Sequence, residues 1–204
     1  MVELVGVVAA ACCSLVCVVL VLGVGVAALY VLLSPAEYEL KAAEDKKEPR
    51  RAWVQGASFL LMDGDDYAYM SDGTIGVMLE DAWRITGPTM LEGEVGRLAA
   101  APDRPAWNLV RAMLLLRAAV SMGWVDNEDS FTRCAELGER LQEHYDGWEP
   151  MAADLLRSRR AWLGIDLDGA DDDDDDNDMY EVTRALDGLR RSHYPTVPWA
   201  LALR

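Results

Sequence analysis

The chain has 204 residues, of which 51% are apolar, and carries 19 basic against 35 acidic side chains. Its net charge of −16 argues against nucleic-acid binding, which needs a basic surface. The charges are unevenly placed, because the first 34 residues contain one charged side chain, Glu3, and three of the four cysteines. The other 170 residues can bury a sizeable core without metals. With one cysteine, they cannot form an internal disulfide framework.

The segment from Leu4 to Leu33 contains no charged residue and is interrupted only by Ser14 and Tyr30. It exceeds the roughly 20 apolar residues that a helix needs to cross a bilayer. A cleaved signal peptide would have a basic flank and a shorter apolar stretch. We therefore predict a transmembrane anchor at 4–33. Small residues recur four apart along it, which would allow a homodimer through the anchor, although Ala- and Gly-rich segments often show this spacing by chance.

Basic residues follow this segment at Lys41, Lys46, Lys47, Arg50 and Arg51, and none precedes it. The positive-inside rule counts these residues and largely disregards acidic ones. It predicts a single-pass protein of the plasma membrane, with the amino terminus outside and the following domain in the cytoplasm.

Residues 34–51 are predicted to form a charged juxtamembrane helix, since Ser34-Pro35-Ala36-Glu37 is a helix-start signal. The helix should run to about Lys47, and Pro49-Arg50-Arg51 should end it. Residues 52–204 form the predicted helical domain. Its first part, 52–75, does not distinguish helix from strand, and Asp63-Gly64 and Asp72-Gly73 indicate turns there.

Apolar spacing then predicts a series of helices. They are Val77–Trp83, a helix starting at Thr86-Gly87-Pro88 with Met90, Leu91, Val95 and Leu98 on its apolar side, residues 106–122, a helix capped by Asp126 and Asp129, and Trp148–Leu163. Residues 106–122 are apolar nearly all round, so this helix should lie at the centre of the domain.

Residues 166–178 contain nine aspartates, six of them consecutive from Asp171 to Asp176. Such a run repels itself, which predicts a flexible acidic loop, with loose cation binding as the alternative. An EF-hand is excluded because Ala170 and Asp171 occupy positions for a ligand and the turn glycine. A last helix, capped by Asp178 and Glu181, should run to about Arg191. The residues from Tyr194 to Trp199 should then form an extended aromatic tail.

Several motifs along the domain share an ordered spacing. They are Leu79–Thr86, Pro105–Arg111, Arg117, Gly123-Trp124, Glu128, Gln142, Trp148-Glu149, Arg160-Ala161-Trp162 and Pro195–Leu203. Over about 76–203 this pattern resembles the bacterial family called domain of unknown function 1266. The resemblance implies an all-helical fold and a bacterial source, hence the inner membrane, and it implies no reaction.

The sequence departs from that family's pattern at Asn108, where the family usually has Asp, at Gly147 for Ser and at Ser158 for Gly. If the family's carboxylate at the first position were catalytic, this member would be impaired.

No catalytic, cofactor or metal site is predicted. Only His144 and His193 could serve as imidazole bases, and His144 should be a surface residue. Two distant histidines and one cysteine cannot form a zinc site, and no phosphate-binding loop occurs. Paired carboxylates for hydrolysis cannot be recognised in a sequence so rich in them.

The residues with structural or binding potential are those of the motifs above. They are Trp107, Asn108, Arg111, Arg117, Trp124, Glu128, Gln142, Trp148, Glu149, Trp162 and Trp199. Trp83 and the later tryptophans favour buried anchors over a ligand-stacking groove. Arg111, on the central helix, should be partly buried and paired with Glu136, Glu139, Glu149 or Asp154.

The fold predicted by these features is all-α, with a single N-terminal transmembrane helix before a compact multi-helix cytoplasmic domain. The function predicted is a membrane-tethered, non-enzymatic interaction module for an unidentified protein partner. The alternatives are an acid–base hydrolase using paired carboxylates, and an immunity-type protein that masks a basic toxin.

Overall fold

The computed structural model describes residues 43–58, 61, 67–164 and 177–203, which belong to one compact unit, Lys41–Arg204. The predicted anchor at 4–33, the juxtamembrane residues 34–42 and most of the acidic loop at 166–178 lie outside these described residues. Within the described ranges, no helix is both long and apolar enough to cross a membrane.

Helices make up the regular structure of the described residues, with no strand among them, which confirms the predicted all-α fold. The helices are α1 (Pro49–Ser58), α2 (Asp72–Trp83), α3 (Pro88–Ala100), α4 (Pro105–Ser121), α5 (Asn127–His144), α6 (Trp148–Leu163) and α7 (Asn177–Ser192). A short 3-10 helix, Tyr67–Tyr69, precedes α2.

Helix α4 lies at the centre of the domain, as predicted. Thirteen of its 17 residues are buried, and it packs against α1, α2, α3, α5, α6 and the 3-10 helix. An amphipathic helix would leave one face to solvent, whereas this sequence is apolar on every side and needs neighbours all round.

The predicted starts of α5 and α6 are also confirmed. The Asp126 carboxylate accepts a hydrogen bond from the Asp129 backbone N–H at 2.8 Å, which caps α5. Helix α6 has the predicted bounds, Trp148–Leu163. His144, in the last turn of α5, is exposed as expected.

The predicted helix end near Lys47 is confirmed, since residues 43–45 are helical and a turn follows at Lys46-Lys47. A new helix, α1, which the sequence did not predict, begins directly afterwards at Pro49. The Glu48 carboxylate accepts from the Arg51 backbone N–H at 2.8 Å and thereby satisfies a donor of the first turn. Proline suits the first helical position since its missing N–H would have no intrahelical partner. The region from 52 to 58, which the sequence left undecided, is therefore helical.

The prediction of a turn at Asp72-Gly73 is wrong, because these residues form the first turn of α2. Ser71 adopts an extended conformation, and its hydroxyl accepts from the Thr74 N–H at 3.3 Å. This N-cap starts the helix five residues before the predicted Val77.

Two further expectations need correction. Met90 on α3 is exposed, because it lies about 100° round the helix from the buried Leu91. The tail from Tyr194 to Trp199 is not extended but consists of turns, in which the N–H groups of Thr196 and Val197 donate to the carbonyl of His193.

Candidate functional site

Three tryptophans form an aromatic cluster that holds the C-terminal turns against the domain. The ring centroid of Trp53 lies 4.9 Å from that of Trp148 and 5.2 Å from that of Trp199. Each indole N–H donates to a backbone carbonyl: Trp53 to Trp199 (3.0 Å), Trp148 to Val197 (2.8 Å) and Trp199 to Tyr145 (2.8 Å). Since their polar atoms are satisfied, these rings act as anchors.

Two other predicted residues support the same clamp. The Gln142 amide on α5 donates to the carbonyls of Trp199 and Leu201, the latter at 3.0 Å. Glu149 on α6 accepts from the guanidinium of Arg190 on α7, at 2.9 Å from Nε and 2.6 Å from Nη2. Gln142, Trp148, Glu149 and Trp199 are therefore assigned to holding α5, α6, α7 and the C-terminal turns together.

Trp53 is the member of this cluster that the motifs did not reveal, since no resemblance singled it out. Its ring is fully buried at the centre of the cluster. The available signal was its place in the uncharged stretch 52–62, directly after a highly charged segment.

Arg117 is the fully buried arginine of α4. Its Nη1 donates to Asn127 Oδ1 at 2.9 Å and to Ser130 Oγ at 3.3 Å. Its guanidinium carbon lies 3.8 Å from the centroid of the Phe131 ring. The arrangement joins α4 to the first turn of α5, and the Arg117 side chain is fully buried, so Arg117 is structural.

Glu128 lies at the edge of a charged cavity of about 400 Å³ between α1, α5 and Leu203. Its exposed carboxylate binds Arg51, whose Nη1 also donates to the buried Asp45 at 2.6 Å. The Tyr69 hydroxyl donates to the same aspartate. Burial, helped by this hydrogen bond, raises the pKa of Tyr69 to about 12.

Asn108 fixes the loop before α4. Its Nδ2 donates to the Asp103 carbonyl at 2.6 Å, and it is buried. In this loop Arg104 has a left-handed backbone conformation, with φ at 48°. An ionised carboxylate at position 108 would face the carbonyl oxygen without a proton to donate, so this loop requires the amide.

Trp124 is part-buried against the core. Its backbone N–H donates to the Ala119 carbonyl at 2.9 Å and so closes the C-terminal end of α4. Trp124 does not line the charged cavity beside Glu128.

The expected ion pair of Arg111 is wrong. Arg111 is half-buried as predicted, but in the part of the chain that the structure describes its guanidinium makes neither an ion pair nor a hydrogen bond. Its guanidinium carbon instead lies 4.3 Å from the Trp83 ring centroid and 4.9 Å from that of Trp107. Sequence reasoning placed Arg111 in the core, but α4 turns it towards the gap between α2 and α6.

The proposed partners of Arg111 are engaged elsewhere or face solvent. Glu149 pairs with Arg190, and Asp154 accepts from the Tyr145 hydroxyl at 2.6 Å. Glu136 is exposed at the charged cavity. The cation–π contacts take the place of a carboxylate, since an aromatic face also attracts a cation.

Arg111 lies in a second cavity of about 190 Å³, which we call the Trp–Arg groove. It is lined by Trp83, Trp107 and Trp162, by Arg111 and Arg159, and by Leu61, Tyr67, Met78, Ala82 and Leu114. The groove brings together Trp107, Arg111 and Trp162 from the predicted set, and the other predicted residues lie outside it.

Trp162 is the exposed wall of this groove. It is 60% exposed, so the prediction that it is a buried anchor is wrong. Its ring centroid lies 5.9 Å from that of Trp107, which is buried. Trp162 is in the last turn of α6, and in the described chain no later element covers it.

Desolvation controls the electrostatics of the groove. Burial lowers the pKa of the Arg111 guanidinium, Glu94 raises it and Arg97 lowers it. The arginine still keeps its charge, because a guanidinium ordinarily loses its proton only far above neutral pH. The groove therefore presents a fixed, partly desolvated cation beside aromatic surface.

The described residues contain no group of three or more His, Cys, Asp or Glu side chains placed to hold a metal ion. The arrangement that the structure does supply is a half-buried arginine beside aromatic and aliphatic side chains.

A family model described as "Protein of unknown function (DUF1266)" matches residues 33–199. The chain belongs to this family. The resemblance inferred from residues 76–203 is thereby confirmed, and the match begins further upstream, at residue 33. No curated protein and no solved structure matches the chain. The family description names no activity.

Proposed function

We propose that the protein is a membrane-tethered, non-enzymatic binding module that receives a protein partner in the Trp–Arg groove. The observation that carries the proposal is Arg111, a half-buried cation that contacts two tryptophan rings and has no carboxylate partner among the described residues. Tryptophan and arginine dominate the binding energy of protein interfaces because they combine apolar area with directed polar contacts.

The exposure of Trp162 supports binding at the same place. Large apolar side chains in contact with water are common singly and need no explanation by themselves. Here the exposed ring adjoins a cavity that already contains a desolvated cation, so covering it would bury apolar area and exclude water from Arg111. Both effects favour the bound state.

Tethering is supported by the uncharged segment from Leu4 to Leu33 and by the five basic residues that follow it. We propose that the anchor spans the bacterial inner membrane and that the groove faces the cytoplasm. Protease added to intact spheroplasts should leave a C-terminal tag uncut, and digestion of the tag would contradict this orientation.

We favour binding over hydrolysis by paired carboxylates because of how the acids of the charged cavity are used. Glu128 binds Arg51, and Glu48 accepts from the Arg51 backbone. Each of these carboxylates therefore has a partner other than a second carboxylate, whereas acid–base hydrolysis uses two acids on either side of a bond. An immunity-type role would be favoured by a toxin gene next to this one.

The test is partner capture from native membranes with a tagged full-length chain, followed by mass spectrometry. Trp162→Ala should lose the partner that the wild type captures, because it removes the exposed wall of the groove. Val77→Ala is the matched control, since Val77 is equally exposed but does not line the groove. Equal capture by all three chains would contradict the proposal.

A further inference from the structure

The free donors of the Trp–Arg groove are the N–H bonds of Arg111. They lie in the plane of the guanidinium, whose carbon is 4.3 Å from the Trp83 ring centroid and 4.9 Å from that of Trp107. In the described chain no oxygen accepts from them. A planar anion with two oxygens can accept two parallel N–H bonds from such a fork, which is the geometry of an arginine–carboxylate pair.

The charge of the protein restricts which anion can enter. The chain carries a net charge of −16, so a ligand with several negative charges is repelled at long range. Arg111 makes the groove locally basic, because its half-buried guanidinium has no carboxylate partner in the described chain. A ligand with a single negative charge gains the local attraction at the smallest cost in long-range repulsion.

The other walls show that the ligand also has an apolar part. Met78, Leu114 and Trp162 line the groove beside the arginines. The volume of about 190 Å³ is below the roughly 300–1,000 Å³ of pockets that hold drug-sized ligands. A nucleotide or a whole helix is therefore too large, whereas one amino-acid residue fits.

We propose that the Trp–Arg groove binds the C-terminal residue of a protein partner. The free α-carboxylate accepts hydrogen bonds from Arg111, and the apolar side chain of the same residue packs against Met78 and Trp162. This inference rests on the proposed function and specifies the part of the partner that is recognised. A chain terminus satisfies all three requirements, since it supplies one negative charge and one side chain and can enter a small cavity end-on.

The test measures binding of an acetylated tripeptide that ends in leucine to the purified full-length chain in mild detergent. The chain is labelled with 5-fluorotryptophan, so that its seven tryptophans report separately by fluorine NMR. The resonances of Trp107 and Trp162 should move on titration. Those of Trp53 and Trp148, which belong to the aromatic cluster, should stay in place and serve as internal controls.

The decisive comparison is made on the wild-type chain and needs no variant. The same tripeptide with a C-terminal amide should bind about 10- to 100-fold more weakly, the loss expected for charge-assisted hydrogen bonds. A second amidated tripeptide, with glutamate in its middle position, tests whether a side-chain carboxylate serves equally well. The proposal would be overturned if the acid and the simple amide bound with equal affinity. It would also be overturned if the amidated glutamate peptide bound as tightly as the acid.

Variants then assign the effect to Arg111. Arg111→Gln should bind acid and amide with equal, weak affinity, because it removes the charge and the fork. Arg160→Gln removes the same charge from an exposed residue of α6 that does not line the groove, and should keep the preference for the acid. If Arg160→Gln abolished the preference as completely as Arg111→Gln, general electrostatics would explain the result and the proposal would fail.

Failure of this inference can be distinguished from failure of the proposed function. If Trp162→Ala abolishes partner capture but the acid and amide peptides bind alike, the groove binds a partner through another feature. If Trp162→Ala captures the wild-type partner, the proposed function itself is contradicted.

Discussion

Substituting methionine for Arg117 removes the buried guanidinium from the centre of the domain while keeping much of the side-chain volume. The native guanidinium donates to Asn127 at 2.9 Å and Ser130 at 3.3 Å and contacts the Phe131 ring. The substitution leaves both acceptors without their charged donor, and Ser130 is fully buried. We expect a marked loss of stability.

The change in unfolding free energy depends on two stabilising contributions of Arg117, which the variant loses, and on one opposing cost, which the variant avoids. Each hydrogen bond to a charged group contributes about 1.5–3 kcal/mol, and a desolvated cation–π contact about 2 kcal/mol. Against these, the variant no longer bears the several kcal/mol that desolvation of a buried guanidinium costs. The balance is a destabilisation of about 3 kcal/mol, near the lower end of the values for breaking a buried charge pair.

Arg111→Met is the matched control on the same helix. This substitution removes two cation–π contacts, each worth about 0.5–2 kcal/mol, and no hydrogen bond within the described chain. It also relieves the half-buried guanidinium of its desolvation, so the net change should be within about 1 kcal/mol. The two arginines of α4 should therefore differ by about 2 kcal/mol.

The assay is urea denaturation of the purified full-length chain in mild detergent, followed by tryptophan fluorescence. All seven tryptophans lie between Trp53 and Trp199, so the signal reports on the helical domain. Comparable denaturant slopes would show that the variants unfold from equally compact states. If Arg117→Met were within 1 kcal/mol of the wild type, or less damaging than Arg111→Met, the assignment of Arg117 as structural and Arg111 as a groove residue would be refuted.

Three other predictions concern His193, Gly138 and Asn108, with Gly96 as the matched control for Gly138. Burial, helped by Lys46, lowers the pKa of His193 from 6.5 to about 4. The neutral ring is thus favoured in the folded state, and stability should be lost as the pH falls from 6.5 towards 4. The full shift would correspond to a loss of about 3 kcal/mol, and solvent screening at the part-exposed ring reduces this value. In urea melts recorded at several pH values, His193→Gln should not show this loss of stability. Gly138→Ala should destabilise by about 1–3 kcal/mol, since its Cβ would lie 2.6 Å from a buried indole ring. Gly96→Ala, exposed with open space around it, should stabilise by about 0.5–1 kcal/mol in thermal melts. Asn108→Asp should lower the melting temperature at pH 7, with a loss of about 1–3 kcal/mol that shrinks once acid protonates the new carboxyl group.

Each of these has an outcome that would contradict it. If His193→Gln and the exposed control His144→Gln both keep the pH dependence of the wild type, a group other than His193 is responsible for it. A stabilising Gly138→Ala would mean that Trp53 can move aside. A fully stable Asn108→Asp would show that the Asp103 carbonyl does not need the amide donor.

The sequence by itself determined much of the helical architecture, because local signals carry that information. The all-round apolar composition of α4 predicted its central position. The cap at Asp126 and the apolar spacing from Trp148 predicted where α5 and α6 begin. The start of α1 at Pro49 was missed and the turn at Asp72-Gly73 was wrong because the same residues serve two roles. Proline follows the end of one helix and also starts another, and Asp-Gly occurs both in turns and in first helical turns.

The tertiary structure decided which residues meet, and this is what separates the candidate site from the core. Arg111 and Arg117 are six residues apart on one helix, about 120° apart in direction, so they face different neighbours. Trp107 precedes Arg111 by four residues on α4, a spacing that already brings the two side chains together. Trp83 is supplied by α2, and no spacing along the chain encodes that contact. The same is true of Trp162, whose exposure depends on what packs against the end of α6, whereas its helix and its apolar character were already readable in the sequence.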